Sequence, residues 1–191
     1  RFGQFIHMAR KMGIEVTFFH MANSGALILE PESHFNMVRP GIALYGAVPS
    51  PEAVPPFTLE PVMDLKAPLV MIKSLKKGTP IGYNRTYRAP EDARMGLLQI
   101  GYADAYPVGL SGKGVARIAG ATVPVLGRVS MDFIAIDLKD LAVVIGDEAL
   151  LWGQSEDHRL HVESQAELAG TIPYELLTRL GTRVERIYVD D

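Results

Sequence analysis

The chain has 191 residues, 48% hydrophobic and 21% charged, with a formal net charge of −3. This is a globular composition, long enough for one large or two small domains, and its slight negative charge excludes a general attraction to nucleic acid or anionic membrane. The absence of cysteine excludes disulfides and thiolate metal sites and fits a reducing, cytoplasmic setting; no apolar run approaches the ~20 residues of a membrane span, and no signal peptide is visible.

The first residue is arginine inside a helical pattern, which reads as a truncated start. Phe2, Phe5, Ile6, Ala9 and Met12 recur at helical spacing, with Gly13 as the stop. "IEVTFFH" (14–20) predicts a short buried strand, "ANSGALILEP" a brief helix, and "MVRPGIALYG" (37–46) a second strand. Helix, strand, helix, strand is the rhythm of a parallel α/β fold. Two such strands cannot cover both faces of a sheet, so the first 46 residues read as the tail of a larger α/β domain. "VPSPEAVPP" (48–56) holds four prolines and predicts a linker.

From about Leu59 to Gly153 the runs turn short and β-rich: "KAPLVMIKSL", "ARMGLLQIGY", "GVARIAG", "TVPVLGRVSMDFIAIDL" and "EALLWG", with turns at "KKGT", "AGA" and "IGD". They predict an all-β barrel or sandwich. "ESQAELAG" and "TIPYELLTRLG" predict two short helices, the second with Thr171 as N-cap, Pro173 in its first turn and Gly181 past its end. "RVERIYVD" predicts a closing strand.

Three groups of residues invite chemistry. Arg39 lies within an apolar run just before Pro40 and Gly41. It either rests its head in water at a strand end or aims it at a ligand at the mouth of a parallel sheet, and Gly41 and Ile42 would let backbone N–H groups approach a phosphate. Asn23 and Ser24 stand between a strand and a helix start, where a hydroxyl either caps the helix or joins its free N–H groups in holding an anion. His20 reads as a satisfied buried histidine or as a support for Arg39. "IGYNRTY" and "IGYADAY" supply Tyr83, Tyr87, Tyr102 and Tyr106, each of which reads first as a packing residue. A tyrosine base needs a pKa below its usual ~10, which a sequence does not display.

"HMANSGA", "FNMVRPGIALYG", "IGYNRTY", "IGYADAYP", "GRVSMDFIAIDL" and "TIPYELLTRLGTRVERIY" occur in this order, and together they resemble the second half of the alanine racemases. That family interconverts L- and D-alanine with pyridoxal 5′-phosphate (PLP). The resemblance implies that residues 1–47 are the last α/β elements of an incomplete PLP-binding (β/α)8 barrel and that residues 57–191 are the family's mainly β C-terminal domain. It implies a head-to-tail homodimer, each site built from one subunit's barrel and the other's β domain. It places Arg39 against the pyridine nitrogen of PLP, with His20 behind it. A guanidinium keeps its proton, so the nitrogen would stay unprotonated and the ring a weak electron sink, favouring reprotonation at Cα over transamination. Ser24, the Gly41 and Ile42 backbone and the Tyr174 hydroxyl would hold the phosphate. Tyr83 matches the catalytic base on one face of Cα, and Tyr102, Met131 and Asp132 match the lining of a narrow substrate entrance. No metal is implied.

Two departures stand out. The family's Schiff-base lysine lies in an N-terminal motif absent here, and Lys11, Lys66, Lys73, Lys76, Lys77, Lys113 and Lys139 sit in other contexts; the resemblance thus implies that these residues alone neither racemise alanine nor hold PLP covalently. Ala105 stands where the family often has glycine, which a negative φ would tolerate. Two alternatives stay open: a racemase of serine or of a broader amino-acid range, and a non-catalytic β domain for dimerisation. Tyr83, Arg39, Ser24 and Tyr174 together argue against the second, since packing requires none of them.

Overall fold

The computed structural model describes residues 1–155 and 158–189. It divides into two compact units, Arg1–Glu60 and Pro61–Asp191.

The first unit begins with helix α1 (Phe2–Lys11), whose Arg10 and Lys11 complement the negative end of the helix dipole and which Gly13 follows at φ 73°. None of its residues is buried, and its apolar stripe meets the rest of the unit chiefly through Phe2, packed edge-on to Phe35. Helix α2 (Ser24–Leu29) is capped by Asn23, whose Oδ1 accepts the Ala26 N–H at 3.0 Å.

The two predicted strands of this unit are a correction. Residues 14–20 and 37–46 run side by side in parallel, yet they make one bridge, His20 to Met37, and Ile42–Tyr45 is a 3-10 turn. The pair keeps an offset of about 17 residues, and side chains supply most of its rungs. Asn36 Oδ1 accepts the Phe19 N–H at 2.7 Å and its amide donates to the Thr17 carbonyl at 2.8 Å; further along, Arg39 N–H donates to the Ala22 carbonyl at 2.8 Å and Gly41 N–H to Ser24 Oγ at 2.8 Å. Two lone strands leave half their backbone groups without a ladder, so short polar side chains take over.

The second unit is a closed antiparallel barrel, which settles the choice between barrel and sandwich. Its strands are β1 (Leu65–Leu75), β4 (Ala93–Leu98), β5 (Val115–Ile118), β6 (Ala121–Leu126), β7 (Ile134–Asp137) and β8 (Glu148–Ser155), ordered β1-β4-β7-β6-β5-β8. β1 closes the ring by serving two neighbours: residues 65–68 pair with β8 and residues 69–75 with β4, across a register shift after Leu69. Leu69, Leu98, Ile134 and Ile136 are fully buried, and Trp152 stacks on Tyr106, their planes 8° apart. The short pair β2 (Pro80–Ile81) and β3 (Tyr87–Arg88) lies over the opposite face of β4, β6 and β7, where Leu75, Ile81, Ala89, Met95, Leu126 and Ala135 form a second apolar cluster. β9 (His158–Leu160) adds to β8.

Helices α3 (Val162–Ala169) and α4 (Pro173–Arg179) follow. Pro173 opens α4 as expected, but Ile172 is the N-cap, and the Thr171 hydroxyl instead donates to the Glu175 carboxylate. The predicted strand is also corrected over 183–189, and its last residue, Asp190, lies outside the described residues. Residues 182–184 form a turn, Arg186 donates to the carbonyls of Leu180, Gly181 and Val184, and residues 185–189 belong to no helix or strand.

Ala105 takes φ 70°, the left-handed region, so the negative φ on which its easy tolerance depended is not met. The β-carbon is strained there by about 1–2 kcal/mol, part of which is offset by the smaller unfolded-state entropy of alanine relative to glycine. Ala105→Gly is therefore expected to stabilise unit 2 by about 0.5–1 kcal/mol in urea unfolding, and a loss of stability would show that the strain is relieved elsewhere.

Candidate functional site

Candidate residues of the first unit gather where its two parallel segments end. Ser24 is the first residue of α2 and 2% exposed, and since Asn23 caps the helix its hydroxyl is spared that task. Ser24 Oγ instead accepts the Gly41 N–H at 2.8 Å and the Ala43 N–H at 3.3 Å. Two backbone donors thus converge on one oxygen, while the Ile42 N–H between them, first in its turn, has no acceptor within that turn. A β-carbon built on Gly41 would meet only Ser24 Oγ within 4.0 Å, so the space beside the Gly41 α-carbon is open.

Arg39 is exposed, and its guanidinium donates to the Met21 carbonyl at 3.3 Å. His20 is exposed as well, which corrects the reading of a buried histidine; its fold contact is the backbone bridge to Met37. Sequence reasoning placed Ile42 in the donor set and missed Ala43. The alternation of donors in the 3-10 turn is the signal that would have found it.

In the second unit the candidates lie on three adjoining connections. Tyr83 heads the connection between β2 and β3 and is 67% exposed. Gly82 before it has φ 73°, and a side-chain carbon there would lie 3.3 Å from the Arg128 backbone nitrogen. The root of the Tyr83 loop is thereby seated on the β6–β7 connection. Asn84 and Arg85 both take positive φ, 58° and 51°, so the loop turns sharply straight after the tyrosine.

The β6–β7 connection carries Met131 and Asp132, and the β4–β5 connection carries Tyr102. Both emerge from the same end of the barrel, and two hydrogen bonds of 3.0 Å join them: Tyr102 N–H to the Ser130 carbonyl and Ala103 N–H to the Met131 carbonyl. Gly101 permits the approach, since a β-carbon there would fall 2.3 Å from both carbonyl oxygens. Tyr102 and Met131 are exposed and Asp132 is half-buried. Asp132 accepts a charge-assisted bond from Arg183 at 2.6 Å, and Asp104 is 3.1 Å from the same guanidinium. Sequence reasoning missed Arg183 and Asp104, having assigned the arginine to a strand.

The other tyrosines differ. Tyr106 is fully buried, and burial pushes its hydroxyl pKa well up; Tyr87 is also pushed up, by burial and by the Asp137 carboxylate. Both favour the neutral phenol. Tyr174 lies near the start of α4, partly exposed, with its carbonyl accepting the Thr178 hydroxyl. Among the described residues no cluster of histidine and carboxylate side chains could hold a metal ion, and no helix is long and apolar enough to cross a membrane.

Residues 62–188 match the family model "Alanine racemase, C-terminal domain" and residues 1–49 match "Alanine racemase, N-terminal domain". Alanine racemase 1 of Clostridium acetobutylicum is 39% identical over 191 residues, covering 99% of this chain and 50% of its own length. The crystal structure of alanine racemase from Streptomyces lavendulae superposes with a TM-score of 0.92 at 37% identity, covering 100% of this chain and 50% of that one. The structure from Bartonella henselae, with covalently bound pyridoxal phosphate, gives 0.80 at 34% identity, covering 98% and 51%. The chain spans about half the length of the curated relatives it matches.

The oxygen-centred arrangement at Ser24 can be tested directly. Ser24→Ala leaves the Gly41 and Ala43 N–H groups without an acceptor, so unit 1 is expected to lose about 1–3 kcal/mol, read as faster hydrogen exchange at those two amides. Unchanged exchange would mean that the hydroxyl does not hold them.

Proposed function

The chain belongs to the alanine racemase family, and we propose that its residues supply half of the machinery that interconverts L- and D-alanine: part of a pyridoxal phosphate cradle and one of two proton-transferring bases. The cradle in unit 1 suits such a cofactor. Gly41 and Ala43 N–H already converge on one oxygen, beside open space at Gly41 and within the segment that carries Arg39. Because Ser24 Oγ accepts both N–H groups, its own proton is free to point outward toward a phosphate oxygen. The Ile42 N–H, which has no acceptor within its turn, would join that hydroxyl, and the Gly41 N–H would do so by leaving Ser24 Oγ; the resemblance adds the Tyr174 hydroxyl to the phosphate set. Arg39 can only donate, so it would face a ring nitrogen as donor and keep that nitrogen unprotonated. His20 would act on Arg39 through the backbone, as neighbour of the Met21 carbonyl that holds the guanidinium.

When bound, pyridoxal phosphate supplies the electron sink that acidifies the Cα–H of an attached amino acid. Tyr83 would carry that proton on one face. A base on the other face is needed for inversion, and the resemblance assigns it to a lysine of the family's N-terminal motif, outside these 191 residues. The site would be shared in a homodimer, with Tyr83, Tyr102, Met131 and Asp132 serving the partner's cofactor, and alanine as the substrate that the entrance admits. A cytoplasmic setting suits a cysteine-free chain.

The observation that carries this reading is the exposed Tyr83 phenol, presented at the head of a seated loop while Tyr106 is sealed in the barrel. In a complete racemase carrying these residues, Tyr83→Phe is expected to slow racemisation by about 10²–10⁴-fold. Washout of the Cα hydrogen into D2O should then be lost for one enantiomer and kept for the other. Loss for both, or for neither, would remove Tyr83 from the role of base.

A further inference from the structure

Arg183 joins three segments that lie far apart in sequence. Its Nε is 3.1 Å from Asp104 Oδ1, and a terminal nitrogen donates to Asp132 Oδ1 at 2.6 Å. The second oxygen of Asp104 accepts the Gly101 N–H at 3.0 Å. One guanidinium therefore ties the segment after α4 to both connections that carry the entrance residues. Asp104 is two positions from Tyr102, and Asp132 adjoins Met131.

We propose that Arg183 is a positioning residue of the substrate entrance, fixing the spacing between Tyr102 and the Met131–Asp132 pair and thereby the size of amino acid admitted. This rests on the reading of those three residues as the entrance.

Stability alone does not account for the arrangement. The arginine side chain is 55% exposed, and exposed ion pairs contribute little to folding. Geometry explains it better. A planar guanidinium presents donors at fixed angles and engages two carboxylates at once, which a lysine ammonium on a flexible stem reproduces poorly. Without the cation, the Asp104 and Asp132 carboxylates would face each other across the junction, and like charges at that range repel. The strain would fall on the two backbone bonds beside them, Tyr102 N–H to Ser130 and Ala103 N–H to Met131. Gly101 has no side chain to prop the gap, so the connections would part and the entrance widen.

The test uses a complete racemase carrying these residues, with Arg183→Ala, Arg183→Lys and Arg183→Ala combined with Asp132→Asn. Two readouts are taken: hydrogen exchange at the Tyr102 and Ala103 amides, and the ratio of kcat/KM for alanine to that for serine. Arg183→Ala is expected to speed exchange at both amides about tenfold and lower the ratio about fivefold, with a melting temperature within about 4 °C of the parent. Arg183→Lys should fall between, and if the alanine variant fails to fold the same measurements rest on it. Adding Asp132→Asn should restore much of the amide protection, because the repulsion is gone. Unchanged exchange in both single variants overturns the clamp itself. Faster exchange with an unchanged ratio overturns control of admission, and points to failure of the entrance reading.

Discussion

Two backbone hydrogen bonds hold the proposed chemistry of the second unit together: Tyr102 N–H to the Ser130 carbonyl and Ala103 N–H to the Met131 carbonyl. They exist because Gly101 lets two peptide segments approach more closely than any side chain would allow. Upstream of them stands the pairing of β4 with β7. Because the two run antiparallel, the end of β4 lies beside the start of β7, and the β4–β5 and β6–β7 connections emerge together. The Tyr83 loop then reaches the same neighbourhood by crossing the outer face, where the Ile81–Leu126–Ala135 cluster fixes its approach to Gly127 and Arg128. Apolar burial sets the frame, and a few polar contacts at its end set the aim.

The first unit uses the reverse economy. It buries little, α1 shows no buried residue, and its parallel segments form one bridge. Order in it comes from side chains that stand in for backbone: Asn36 toward residues 17 and 19, Asn23 at a helix start, and Ser24 toward residues 41 and 43. That same substitution leaves the Ser24 hydroxyl with both its lone pairs engaged and its own proton to donate.

Much of the second unit was legible in the sequence. The short β-rich runs at 66–75, 93–98 and 121–126 became strands, and "KKGT", "AGA" and "IGD" became turns, because β-rich composition and turn chemistry are local properties. What misled was non-local. Ile14–His20 and Met37–Gly46 are apolar enough for strands, but strand geometry needs partners that a sequence window does not contain. The run at 183–189 has strand composition, yet it pairs with no strand among the described residues. Ala105 sits in the left-handed region because its turn is imposed by the bonds at Gly101 and Tyr102, not by its own preference. For the site, residue types were legible and their partners were not. Ser24 was visible as a hydroxyl beside a helix, but its two N–H groups lie 17 and 19 positions away. Arg183 meets Asp132 across 51 positions.

The central claim is that Arg39 of one copy and Tyr83 of another serve the same cofactor. Mixed dimers test it most directly. A complete racemase carrying these residues is prepared as an Arg39→Glu form and as a Tyr83→Phe form, and the two inactive proteins are unfolded, mixed in equal amounts and refolded together. If the site is shared between copies, half of the dimers hold one site with both native groups, and activity returns to about a quarter of the unaltered enzyme. If the guanidinium and the phenol of one chain serve one site, every site in the mixture lacks one of them, and the refolded mixture stays as inactive as its parents.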